Sequence, residues 1–209
     1  MKPSFLQILR SRLAGRDFIQ EFYCRGKHVL DVGCGEGEFL RRDPKNIEGV
    51  EPNHDAVRRL SEQGLKVTEG SLPTLPFSDG SFDVVHSRNV IEHLDIRTAY
   101  SLLSEGARLL GEGGTLIIAS EVVTKEFWDT FGHVKPYPPK ALLKLLNEKS
   151  REEFPPIHGL THVATIYLGN YYTNKILYLL SCFVAYYLPF SRREYFVIFK
   201  KEKQLLSTP

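Results

Sequence analysis

Three scarcities bound the reading of this sequence. Cysteine is sparse: Cys24, Cys34 and Cys182 are the only three in 209 residues. Their odd number and wide spacing fit no disulfide framework and no zinc-binding pattern, and suggest free thiols in a reducing compartment. An excess of either charge is also missing, with 27 basic and 25 acidic residues for a net charge of +2. That balance argues against a nucleic-acid footprint. Finally, no apolar run reaches the ~20 residues that cross a bilayer. The charge-free stretch ILYLLSCFVAYYLPF, 176–190, stops at fifteen. The basic start, MKPSFLQILRSRLAGRD, has too short and too interrupted an apolar core for a signal peptide. Repeats and low-complexity tracts are absent. A cytoplasmic protein is expected, with contact to a membrane surface left open by the 176–190 stretch.

What is present is an alternation of strand-like and helix-like segments. Residues 4–24 read as one or two amphipathic helices. Strands are expected at 28–32, 46–52, 66–70, 82–87 and 115–120, and two more at 161–168 and 195–201. GEFLRR should open a short helix after the first strand. Further helices are expected over 53–64, closed by Gly64, over the stretch RTAYSLLSEGARLLGEGG, and over 138–150, opened by prolines. Strands that alternate with helices imply a mostly parallel sheet wound by right-handed crossovers. The expected fold is therefore one α/β domain over 1–209, a Rossmann-like doubly wound sheet. Its last strand is antiparallel, helices cover both faces, and an apolar helical insertion lies at about 170–190.

The densest signal is VLDVGCGEGEFL, 29–40, where Gly33, Gly35 and Gly37 fall within five positions after an apolar strand. A tight turn needs one glycine, not three. Three suggest a ligand lying against bare backbone, with a following helix N-terminus offering unpaired N–H groups. The nicotinamide fingerprint G-x-G-x-x-G is not met, because Glu38 stands at its last glycine. Asp31, two residues before Gly33, would repel a pyrophosphate and suits a cationic ligand. Glu51 ends the second strand, where such folds place an acid for ribose hydroxyls. A carboxylate for an ammonium, bare backbone, and a carboxylate for a ribose together describe S-adenosylmethionine (SAM).

These residues resemble the class I SAM-dependent methyltransferases over about 27–120. DVGCGEG is similar to that family's D/E-x-G-x-G-x-G motif and GVEPN to its second-strand end. EGSLPTLPFSDGSFDVVHSRNVIEHL resembles the adenine loop and fourth strand, and ARLLGEGGTLIIAS the next helix and fifth strand. The resemblance implies SAM as cofactor and S-adenosylhomocysteine as product. It places cofactor contacts at Asp31, Gly33, Cys34, Gly35, Gly37, Glu51, Pro52, Ser71, Leu72 and Ser87. Ser71 departs from the aspartate that many relatives use on the adenine amino group; its hydroxyl or the Leu72 N–H would serve instead.

The acceptor side is expected from two histidines, His93 in NVIEHL and His133 in EFWDTFGHVKPYPP. Either could act as a general base if the acceptor is a hydroxyl, or could simply hold its loop. Trp128, His133 and Tyr137 are the expected substrate wall. The stretch resembles a segment, W…D-P-T-H-V-R-P-Y, of methyltransferases associated with surface-polysaccharide and glycan assembly, with Phe131-Gly132 in place of Pro-Thr. A small-RNA 2′-O-methyltransferase family holds a metal with a Glu-x-x-Glu-His block and a later histidine. Here Asn89 occupies the first of those positions, so no metal is expected.

Three functions remain distinct: a methyltransferase for an oxygen of a small-molecule, sugar or lipid-linked acceptor; one for RNA or protein; and a non-catalytic SAM-binding protein. The even charge weighs against RNA, and the complete glycine and acid set against a decayed site. The 170–193 segment, with Tyr171, Tyr172, Tyr178, Tyr186, Tyr187, Arg192 and Arg193, reads as a helix packed on the sheet, a membrane-surface contact or a homodimer contact.

Overall fold

The computed structural model describes residues 16–17, 19–147, 154–170 and 174–202. Most of the expected N-terminal helical region, residues 1–15 and 18, lies outside them. Helix α1 is described over 16–17 and 19–24. Seven strands follow: β1 Val29–Val32, β2 Ile47–Glu51, β3 Val67–Glu69, β4 Phe82–Arg88, β5 Leu110–Glu121, β6 Leu160–Leu168 and β7 Glu194–Lys201. The helices are α2 His54–Glu62, α3 Ile96–Leu109, α4 Pro139–Lys144 and α5 Lys175–Tyr187. The sheet order is β3-β2-β1-β4-β5-β7-β6, with β7 antiparallel to both β5 and β6. This is the expected Rossmann-like doubly wound arrangement.

The central strands are apolar at successive positions because both sheet faces are covered. Alternate residues divide between two cores. Leu30, Val85, Ile118 and Val197 enter the core shared with α3 and α4. Val29, Val84, Ile117 and Phe196 enter the core that also holds Ile19 of α1, Leu60 of α2 and Cys182 of α5. The chain reverses direction of winding between β1 and β4, and open α/β sheets bind ligands outside the strand C-termini at such a point.

The structure differs locally from the sequence reading at three places. The helix expected at GEFLRR is a single 3-10 turn, Leu40–Arg42. Pro44 disfavours helical geometry at Asp43, which sits at φ −149°, ψ 76°, so the turn cannot propagate. The glycine turn is therefore not followed by an α-helix N-terminus. Next, β5 begins at Leu110, not 115, because Leu110 pairs with Phe82 across a bulge. Lastly, α4 ends at Lys144, with 148–150 outside the described residues.

Candidate active site

The three glycines all adopt positive φ, +72° at Gly33, +53° at Gly35 and +74° at Gly37. This is the region where a side chain is strained. Their surroundings differ. A Cβ on Gly33 would lie 2.5 Å from Val90 Cγ2, and one on Gly37 2.6 Å from Leu60 Cδ2. These two are glycine because neighbours press on them. A Cβ on Gly35 would meet nothing within 4 Å. Gly35 therefore presents its bare backbone to open space, as a ligand-facing position should.

Glu51, at the end of β2, is joined to that turn. Its carboxylate accepts hydrogen bonds from Gly35 N–H at 3.0 Å and from Asn53 N–H at 3.1 Å. Each oxygen keeps a lone pair for a ligand hydroxyl. Asn53 also caps α2, accepting from Ala56 N–H at 3.0 Å. Pro52 is exposed beside them.

Asp31 is buried, and its Oδ1 accepts from His86 Nδ1 at 2.7 Å. Asp31 and His86 are register partners on β1 and β4. With Nδ1 donating, His86 Nε2 accepts from Gln20 Nε2 at 3.2 Å. Gln20 is buried, and its Oε1 has no hydrogen-bond partner among the described residues. Arg16, Gln20, Asp31, Gly33, His86 and Arg88 line a cavity of about 100 Å³. The sequence reading had Asp31 here but missed His86, Gln20 and the guanidinium groups of Arg16, Arg42 and Arg88. Only the β1–β4 register reveals the first of them.

The remaining expected cofactor residues are placed as follows. Cys34 is buried with its Sγ against Gly49, where a Cβ would come within 2.5 Å of it. Burial pushes its thiol up to about 12, so Cys34 offers the site only its backbone. Ser87 donates its hydroxyl to the Val32 carbonyl at 3.1 Å, within the sheet. Ser71 is exposed and Leu72 half-buried on the loop after β3. Farther along that loop, Arg108 of α3 donates to the carbonyls of Leu75 and Phe77 and to Glu105 and Asp79, which fixes the path of the chain over the sheet edge.

Beyond β4 and β5, the expected acceptor residues converge in part. Asn89 follows β4 at φ 54°, unusual for a residue with a side chain, with its Oδ1 buried and unpartnered among the described residues. His93 and His133 lie with ring centroids 4.9 Å apart. His133 also packs on Phe127, which meets Trp128 edge-on. Trp128 is exposed. Tyr137 is buried, donates its hydroxyl to the Leu94 carbonyl at 3.0 Å, and accepts from the Tyr195 hydroxyl at its own carbonyl. Its ring thus belongs to the wall between α3 and α4, where it lines an apolar cavity of about 150 Å³.

A family described as "Methyltransferase domain" matches residues 30–118. Among curated relatives, a "Probable S-adenosylmethionine-dependent methyltransferase" of Mycolicibacterium smegmatis is 29% identical over 119 residues, 54% of this chain and 43% of its own. A "Fatty-acid O-methyltransferase" of the same organism is 36% identical over 101 residues, 43% of this chain and 35% of its own. The chain thus spans less than half the length of these relatives. Among solved structures, a SAM-dependent methyltransferase from Archaeoglobus fulgidus aligns with a TM-score of 0.63 at 19% identity, covering 95% of this chain and 100% of its own. The [4+2]-cyclase SpnF aligns at 0.60 and 17% identity, covering 89% and 79%. The fold alone therefore does not name a reaction. Residues 30–118 thus match a methyltransferase domain, and the relatives' names point to SAM as the cofactor that such a domain uses.

The residues present fit that cofactor. Gly35 leaves the space a Cβ would fill, and Gln20 Oε1 is a buried acceptor in need of a donor. Glu51 would hold the ribose hydroxyls through two charge-assisted hydrogen bonds of about 1.5–3 kcal/mol each. Glu51→Ala is expected to weaken SAM binding by roughly tenfold or more. Glu51→Gln, which keeps the acceptor toward Gly35, should lose less. Calorimetric titration of both variants checks this, and a loss below about threefold in Glu51→Ala would displace the ribose from Glu51.

Proposed function

We propose that this chain is a SAM-dependent methyltransferase acting on an oxygen of a small-molecule, sugar or lipid-linked acceptor. The observation that carries the proposal is Gly35, whose bare backbone faces open space while its N–H is tied to Glu51, inside the span that matches a methyltransferase domain. SAM supplies a methyl group already activated by its sulfonium, so the protein's contribution is binding, alignment and exclusion of water. Glu51, Gly35 and the Asp31–His86–Gln20 chain hold the cofactor. His133 and His93 sit beyond the C-terminal ends of β4 and β5, where the acceptor enters and a hydroxyl proton must be managed. A relative named for O-methylation of fatty acids supports an oxygen acceptor with an apolar body. Incubation with methyl-labelled SAM and fractionated cell extract tests the proposal through label that moves to an organic-soluble or glycan fraction. Label confined to RNA or protein would point to the alternative substrate class.

Helix α5 favours a lipid-presented acceptor. Ile176, Leu180, Phe183, Val184 and Tyr187 recur at helical spacing on one stripe. Ile176 is 69% exposed, Leu180 54% and Phe183 47%, and Phe190 just beyond is 79% exposed. Cys182 and Ala185 on the opposite side are buried. Tyr171 and Tyr172 lie outside the described residues, as does the side chain of Tyr186. The helix is thus seated on the sheet by Cys182, Ala185 and the half-buried Tyr178 and leaves Ile176, Leu180, Phe183 and Tyr187 outward, so a helix packed only as core is not what is found. No described helix is long and apolar enough to cross a membrane. A lipid surface is the proposed occupant of the stripe.

Arg192 stacks over the Tyr167 ring at 4.0 Å and donates to the Ala185 carbonyl, and Arg193 pairs with Glu126 and Asn170. Both guanidinium groups are engaged by the protein, so insertion of apolar side chains, not charge, should drive binding. The wild type is expected to float with neutral phosphatidylcholine vesicles with little salt dependence, and an Ile176→Asp/Phe183→Asp variant to stay behind. A monodisperse dimer that the same variant splits, with no flotation, would assign the stripe to a second copy.

A further inference from the structure

We propose that Glu92, His93 and His133 form a three-ligand site for a divalent transition-metal ion, with Zn2+ as the first candidate. One ligand atom from each residue lies within 4.8 Å of the others. Glu92 is 1% exposed, and its Oε2 accepts from the Ser120 hydroxyl at 3.0 Å. Its Oε1 has no hydrogen-bond partner among the described residues. A buried carboxylate oxygen left this way is costly and calls for a cation or a donor.

The two imidazoles are prepared for the same centre. His93 Nδ1 lies 2.9 Å from the Gly132 carbonyl and His133 Nδ1 2.7 Å from the Phe127 carbonyl. A carbonyl can only accept, so each Nδ1 carries the proton and each Nε2 keeps its lone pair. Metal-ligating histidines are held in this way, the outer nitrogen donating to a backbone carbonyl. The chain brings the far histidine in deliberately. The Glu92 carbonyl accepts from Val134 N–H at 2.8 Å and from Lys135 N–H at 3.3 Å, which pins the His133 loop against the Glu92 turn. Gly132 allows the approach, since a Cβ there would press on His93 Nδ1 at 3.2 Å.

Two imidazoles and one carboxylate suit Zn2+ and its first-row neighbours, whereas Mg2+ and Ca2+ prefer all-oxygen sets. A tetrahedral ion with bonds of about 2.0–2.2 Å places its ligand atoms about 3.3 Å apart, so the cluster would close by up to about 1.5 Å. His93 is exposed and His133 half-buried on loops, so both have room to move. Three protein ligands leave at least one position open. On the methyltransferase reading, that position takes an oxygen of the acceptor.

Chelator-stripped protein titrated with Zn2+ by calorimetry, without SAM or acceptor, tests the site. One ion per chain is expected. Glu92→Gln and the double variant His93→Ala/His133→Ala should each weaken it at least tenfold. His54→Ala, which removes an exposed histidine paired with Glu69, should leave it unchanged. Co2+ in place of Zn2+ should give visible absorption that the double variant lacks. The proposal is overturned by no Zn2+ uptake in folded protein, or by uptake that the double variant retains. Parallel SAM titration of the same samples keeps this outcome separate from that of the methyltransferase reading.

Discussion

Gly35→Val is expected to remove SAM binding, with a loss of about a hundredfold or more, equivalent to about 2.8 kcal/mol. A Cβ at Gly35 projects into space free of protein atoms for 4 Å, so the added isopropyl group meets the ligand and not the fold. The one cost the protein itself bears is backbone strain. A β-branched residue at φ +53° costs roughly 1–2 kcal/mol. Gly64→Val supplies the control. Gly64 has φ +77°, and a Cβ there also meets nothing within 4 Å, but it closes α2 away from the turn. Both variants should melt lower by a similar amount, and only Gly35→Val should lose SAM and S-adenosylhomocysteine in calorimetry. A folded Gly35→Val protein with affinity within about threefold of the wild type would remove the ligand from this turn.

His133→Ala is the second large effect, and it falls on turnover. A side chain that manages the acceptor proton, or that orders a metal doing so, contributes about 10²–10⁴-fold. His133 touches Phe127 and His93, not the glycine turn, so SAM affinity should stay within about threefold. Single-turnover transfer from labelled SAM to the acceptor fraction reads the first quantity and calorimetry the second. Parallel loss of both would place His133 on the cofactor side, and unchanged turnover would make it a loop anchor only.

Much of this architecture was legible in the sequence, for identifiable reasons. Strands covered on both faces carry apolar residues at successive positions, so Val29, Leu30 and Val32 of β1 and Val84 and Val85 of β4 mark their strands, with the polar Asp31, His86 and Ser87 toward the strand ends. Three glycines in five residues announce a close approach, and the structure refines this to one glycine facing open space and two squeezed by Val90 and Leu60. The truncated helix after the turn was also legible in principle, because Asp43-Pro44 stops a helix, although GEFLRR is helical by propensity. Other features could not be read from one dimension. His86 partners Asp31 through strand register, which exists only once β1 and β4 pair. Only a resemblance suggests Glu92, His93 and His133 as a set, and they meet because backbone hydrogen bonds fold one loop onto another. The apolar stretch 176–190 has the same composition whether its large side chains point inward or outward, and only packing decides that Cys182 and Ala185 face the core.

The central claim is that the turn between β1 and the 3-10 segment, with Glu51, binds SAM. Its most direct test is a calorimetric titration of the wild-type chain with SAM, followed by displacement with S-adenosylhomocysteine. The account predicts one saturable site per chain, occupied competitively by the two ligands and weakened in Glu51→Ala. Folded protein that gives no saturable heat at millimolar SAM, or a site that S-adenosylhomocysteine does not compete for, would contradict it.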